Sequence, residues 1–150
     1  MQAPTICVNE KNLSGHLKRP KEQYANLSDI DFDRVQSSFG IALHMHQPTI
    51  PAATGNLRTS PLISNLQYMM EHQSIGDNHN APVFLWCYSR MSDFIKELVS
   101  QNKNPRVMLD YSGNLLWGLE QMDRGKALEK LSDITTDKRY HQNVEWLGTM

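Results

Sequence analysis

Phe39-Gly40-Ile41-Ala42-Leu43-His44-Met45-His46-Gln47-Pro48, the stretch FGIALHMHQP at 39–48, is the segment from which the rest of the chain can be placed. Phe39, Ile41, Leu43 and Met45 alternate with smaller residues and with His44 and His46, the period-2 pattern of a strand. Residues two apart on a strand leave the same face with Cα atoms roughly 7 Å apart. Both imidazoles therefore face one way. Pro48 has no N–H to donate and stops the ladder. The expectation is a short buried strand over 39–46 that delivers two histidines to its C-terminal end.

Working outward, residues 1–38 are mostly polar, carry Pro4 and Pro20, and show no sustained period. They read as a polar, partly disordered leader with at most a short helical turn. The cluster His16, Lys18, Arg19 and Lys21 suggests a partner-binding arm, but so few charges carry little field, and a solvated segment is the preferred reading. After the strand, TIPAATGNLRT (49–59) reads as a loop. Ser60 and Pro61 then resemble an N-cap and first helical position, opening a helix over 61–73 with Leu62, Leu66, Met69 and Gln73 on one face. A longer helix follows GDNHN, with Asn80 as N-cap, Pro82 in the first turn, and a stripe of Cys87, Met91, Phe94, Ile95 and Leu98. RVMLDY (106–111) reads as a second buried strand. Leu115, Leu116, Leu119 and Met122 mark a helix that Gly118 weakens by about 1 kcal/mol relative to Ala. Ala127, Leu128, Leu131 and Ile134 mark another helix, and VEWLGTM (144–150) a third strand.

Strands separated by long helical stretches argue a parallel α/β sheet. Ligands in such sheets sit outside the carboxyl ends of the strands, where His44, His46, Gln47, Asp110 and Ser112 would gather. The 150 residues, 39% apolar, suffice for one core. They do not suffice for a closed barrel, which takes about 250 residues. A third strand with no following helix would leave Trp146 and Leu147 uncovered and an edge unpaired. The expectation is the N-terminal part, over 39–150, of a longer enzyme.

Fifteen Lys and Arg against sixteen Asp and Glu leave a net charge of -1, without the basic footprint of a nucleic-acid binder. No apolar run approaches the roughly 18 residues of a membrane span, and MQAPTICVNEKN has neither the basic n-region nor the apolar h-region of a signal peptide. A cytoplasmic protein is expected. Cys7 and Cys87 read as reduced thiols, and no C-x-x-C supports a cysteine zinc site.

The histidine pair admits three readings. It can supply two metal ligands, with Asp110 or His79 as a third. It can hydrogen-bond sugar hydroxyls together with the Gln47 amide. Or the imidazoles simply satisfy backbone carbonyls at a strand end, the preferred reading for an isolated H-x-H.

ALHMHQP, however, resembles the first conserved motif of glycoside hydrolase family 57, a His-x-His-Gln-Pro type signature at the end of the first barrel strand. RVMLDYSGNLLWGLEQM resembles that family's second strand, Ser-Gly turn and helix, and VEWLGTM its third strand. ISNLQYMMEH and GDNHNAPVFLWCYSRMSDFIKELV are similar to the intervening segments. The likeness covers about 37–150 in consistent order and spacing. It implies the first three strand-helix units of an incomplete (β/α)7 barrel with parallel strands, and retaining chemistry on an α-glucan or oligosaccharide without a cofactor. It also implies that His46 binds the sugar ring next to the scissile bond, with His44 beside it and Gln47 completing the motif. The carboxylate nucleophile and acid/base of a retaining enzyme, about 5 Å apart, come from later motifs of the family. No catalytic residue is expected in this segment. Glu71, Glu97, Glu120 and Glu129 fall on predicted helices, and Glu145 opens the third strand at the end away from the mouth. Asp110 is the one carboxylate placed for a substrate contact. Trp117 reads as a sugar platform or, preferably, a helix-packing aromatic. The alternatives are a metal-dependent deacetylase-like barrel and a non-catalytic carbohydrate-binding module.

Overall fold

The computed structural model of the chain describes residues 30–52, 55–122 and 125–148. By contacts the chain divides into two units, Met1–Gln36 and Ser37–Met150. Of the first, the described part holds a 3-10 turn, Phe32–Arg34, whose N-cap Asp31 accepts from the Asp33 N–H at 3.2 Å. The cluster His16, Lys18, Arg19 and Lys21, and Cys7, lie outside the described residues.

The second unit is a mixed α/β structure built on a parallel three-stranded sheet. Its strands are β1 (Ala42–Met45), β4 (Val107–Tyr111) and β5 (Val144–Trp146), in the spatial order β1-β4-β5. Between β1 and β4 come β2 (Thr49–Pro51), β3 (Leu62–Ser64), α1 (Asn65–Glu71) and α2 (Ala81–Ser100). Between β4 and β5 come α3 (Gly113–Gln121) and α4 (Gly125–Thr136). Both sheet pairings are parallel, with His44 opposite Asp110 and Met108 opposite Glu145.

Strand alternation sorts the sheet into two unlike faces. Leu43, Met45, Val107, Leu109, Tyr111, Val144 and Trp146 join one core with Leu66 and Met69 of α1, Tyr88 and Ile95 of α2, Leu115 and Leu119 of α3, and Leu131 and Ile134 of α4. On the other face Ala42, His44 and Glu145 are exposed and Met108 and Asp110 half-buried. Parallel sheets ordinarily have both faces covered. Here the helical core lies against one face, and the polar side chains occupy the other.

Several expectations are corrected. The first strand is not a fully buried one over 39–46: it spans Ala42–Met45, the residues that pair with β4, so that His46 lies just past its end, and Phe39 is 89% exposed. As an edge strand among the described residues, covered on one face, it half-buries Leu43 and Met45 and leaves Ala42 and His44 exposed. The region read as loop and then helix holds an antiparallel ribbon instead. Thr49, Ile50 and Pro51 pair with Ser64, Ile63 and Leu62. Pro51 is tolerated there because, among the described residues, β2 has a partner on one side only. The first helix therefore starts at Asn65, with Ser64 as its N-cap accepting from the Leu66 N–H at 3.2 Å. Neither Ser60 nor Pro61 opens it. Asn80 precedes α2 as expected but makes no side-chain cap bond.

The buried stripe of α2 is Ala81, Tyr88, Ser92 and Ile95, whereas Phe94 and Leu98 are exposed. The apolar stripe read from the sequence is thus rotated about one residue from the observed one, because Tyr88 turns inward for polar contacts. The third strand ends at Trp146.

Gly118 explains its own presence in α3. A Cβ there would stand 2.5 Å from Ser64 Oγ and 2.6 Å from Ser64 Cβ. Only glycine lets α3 approach the capped start of α1 this closely. Two exposed ion pairs, Lys96–Asp133 at 2.7 Å and Lys130–Asp93 at 2.6 Å, link α2 to α4. No helix among the described residues is long and apolar enough to cross a membrane.

Candidate functional site

The carboxyl ends of β1 and β4 bring three of the four expected site residues to one place. Because the strands are parallel with His44 opposite Asp110, the two side chains leave the same face of neighbouring strands. His44 Nδ1 and Asp110 Oδ2 are 2.7 Å apart. A carboxylate only accepts, so Nδ1 carries the hydrogen. The histidine side chain is 60% exposed and the aspartate 19%. His46 lies beside the pair, its ring stacked on that of His44 with centroids 5.8 Å apart and planes 12° apart. The second carboxylate oxygen, Asp110 Oδ1, is buried with no hydrogen-bond partner among the described residues.

Gln47, the fourth expected residue, is 8% exposed and turns inward. Its Nε2 donates to the Tyr88 hydroxyl at 2.9 Å, and its Oε1 accepts from Asn65 Nδ2 at 3.0 Å. The Tyr88 hydroxyl in turn reaches the His46 carbonyl at 3.5 Å, and the Tyr111 hydroxyl donates to the Tyr88 carbonyl at 2.6 Å. Asn65 N–H donates to the Pro48 carbonyl, and Ser112 N–H to the Met45 carbonyl. The backbone from Met45 to Pro48 is thereby tied to α1, α2 and the start of α3. Burial pushes the Tyr88 hydroxyl pKa above its ordinary value, partly offset by the Gln47 hydrogen bond. Burial likewise raises that of Tyr111, with the neighbouring Tyr88 adding to it.

Ser112, also expected at the mouth, caps α3 by accepting from the Leu115 N–H at 3.3 Å. His79 sits in the 3-10 turn Gly76–Asn80 against the Gly76 carbonyl. Among the described residues no group of three or more His, Cys, Asp or Glu side chains could hold a metal ion. Glu71, Glu97, Glu120 and Glu129 are helical. Glu145 projects from β5 opposite Met108, one pleat below the level of His44 and Asp110. Trp117 lies half-buried within α3.

Sequence reading missed Tyr88 and Asn65, which support the mouth from behind. Tyr88 shares the spacing of Ala81, Ser92 and Ile95 along α2. That periodicity was the available signal, but a polar-tipped residue within it could not announce which distant amide it would meet. No family model, curated protein or solved structure matches this chain.

Proposed function

We propose that this chain supplies one wall of the sugar-binding subsite of a retaining, α-glucan-active glycoside hydrolase or transglycosidase similar to family 57. In this reading it forms the first three strand-helix units of a (β/α)7 barrel. The observation that carries the reading is the His44–Asp110 pair, with His46 stacked beside it, at the carboxyl end of a parallel sheet and on the face away from the helical core. In a barrel that face is the interior, and its carboxyl end is where substrates bind. The order β1-β4-β5 adds support, since successive parallel strands lie side by side in a barrel. His44 and His46 contact the sugar. Gln47 acts from behind by anchoring the His46 backbone.

The reacting carboxylates belong to residues outside this sequence. Asp110 is engaged by His44, and Glu71, Glu97, Glu120 and Glu129 lie on helices rather than at strand ends. The test is a titration with maltotriose followed by nuclear magnetic resonance. Shifts centred on His44 and His46, lost in His46→Ala, and no α-glucan hydrolysis are expected. No maltotriose binding would overturn the sugar reading. Hydrolysis by this chain, abolished by His46→Ala, would overturn the assignment of the carboxylates elsewhere.

A metal reading has one observation in its favour: a carboxylate on Nδ1 is also how metal-ligating histidines are oriented. Stoichiometric zinc binding lost in both His44→Ala and His46→Ala would favour a deacetylase-like site.

A further inference from the structure

We propose that Asp110 is a positioning residue that fixes His44 in its Nδ1–H tautomer, and that it thereby makes the mouth selective for ligands that donate a hydroxyl hydrogen. The tautomer of a neutral imidazole is set by the bond its other nitrogen makes. At 2.7 Å from a carboxylate oxygen, His44 Nδ1 is committed as a donor. Nε2 is left with its lone pair, on a side chain 60% exposed, and bonds to no other described group. The register of β1 against β4 makes this a property of the sheet rather than of a loop, because His44 and Asp110 are directly opposite one another.

His46 differs from its neighbour. Its ring stacks on His44 but makes no hydrogen bond through either nitrogen among the described residues, so its tautomer is free to adapt. The mouth therefore presents one fixed acceptor beside one adjustable donor or acceptor. A sugar with adjacent hydroxyls suits this pair, since each hydroxyl donates once and accepts as well. An anion with only acceptor oxygens meets a lone pair at His44. Only the identity of the ligand rests on the sugar-binding reading above; the tautomer assignment stands on the geometry.

The test uses the whole chain with ¹⁵N-labelled histidine at about pH 8.5, where free imidazole is neutral. Long-range ¹H–¹⁵N spectra report which ring nitrogen carries hydrogen. The expected wild-type result is Nδ1–H with an unprotonated Nε2 at His44 and mixed tautomers at His46. Asp110→Asn retains that pattern, because the amide oxygen still accepts, and Asp110→Ala loses it. Maltotriose shifts His44 Nε2, sulfate does not, and Asp110→Ala weakens maltotriose binding about tenfold while Asp110→Asn largely restores it.

Nε2–H at His44 in the wild type, or an unchanged tautomer in Asp110→Ala, would overturn the proposal, and the wild-type spectrum decides even where a variant does not fold. A shift of His44 Nε2 by sulfate would overturn the selectivity. The expected tautomers with no response to maltotriose would support the positioning role and overturn the sugar reading instead.

Discussion

Gln47 Nε2 donates to the hydroxyl of Tyr88, 41 residues further along the chain, at 2.9 Å. The residue that completes the histidine motif is thus a buried tie between the end of β1 and the middle of α2. Asn65 closes the tie from α1 by donating to Gln47 Oε1. Three elements distant in sequence meet on one amide, and the His46 backbone is held by the same network.

Removing that amide takes one partner from the buried Tyr88 and one from the half-buried Asn65. Gln47→Ala is expected to destabilise the fold by about 2–3 kcal/mol, since Asn65 and Tyr88 both lose a partner. Tyr88→Phe, which removes one hydroxyl and keeps the ring, is expected to cost about 1 kcal/mol. Urea denaturation of the two single variants and the double variant measures both effects and their coupling. Additivity of the two losses would mean that the amide and hydroxyl do not act as a unit.

Tyr88 and Tyr111 predict an alkaline limit to stability. Both phenols are raised above their ordinary value, chiefly by burial. A group whose pKa is raised by folding stabilises fully below the unfolded pKa, about 10 for tyrosine. That contribution is lost as the pH climbs from there through the native value. The urea midpoint is expected to hold from about pH 8 to 9.5 and then fall. Tyr111→Phe should start from lower stability, having lost the bond to the Tyr88 carbonyl, and should fall less steeply. An equally steep decline in that variant would remove Tyr111 as a cause.

Gly118→Ala opposes helix propensity to packing. On propensity alone the substitution would stabilise α3 by about 1 kcal/mol. The added Cβ, however, meets Ser64 at 2.5–2.6 Å and displaces the hydroxyl that caps α1. The expected net effect is a loss of about 1–3 kcal/mol. Gly118→Ala combined with Ser64→Gly, which clears the contact, should recover part of it. Thermal melts of the two variants decide the point, and a more stable Gly118→Ala would show that α3 is not held against Ser64.

The paired lysines of α2 and α4 should matter little. Lys96–Asp133 and Lys130–Asp93 are short but substantially exposed. Double-mutant cycles are expected to give less than about 1 kcal/mol for each, falling further in molar salt. A larger, salt-insensitive coupling would identify them as structural clamps between the helices.

Local pattern carried much of the fold into view. The β-suitable run at 106–111 became β4, and the apolar spacings around Leu115 and Leu131 became α3 and α4, because three- and four-residue periods report directly on which face a helix buries. The same reasoning misplaced Ser60 and Pro61. A serine-proline pair looks like a helix start wherever it stands, and only pairing of Leu62–Ser64 with Thr49–Pro51 moved the cap to Ser64. In α2 the apolar count favoured Ile95, which is buried, and Phe94 and Leu98, which are exposed, whereas Tyr88 is buried because hydrogen bonding offsets the burial of its polar tip.

By itself the sequence determined that two imidazoles leave one face of a strand near its C-terminal end, and that this strand belongs to a parallel α/β arrangement. Alternation and the lengths of the crossovers are local quantities, and they suffice for that. Tertiary structure alone decided that His44 stands opposite Asp110, that His46 stacks beside it, and that Gln47 turns away from both into a buried network with Tyr88 and Asn65. Those relations depend on strand register and on which groups are sealed from water together. Both are set by burial of the whole core, and no window of neighbouring residues contains them.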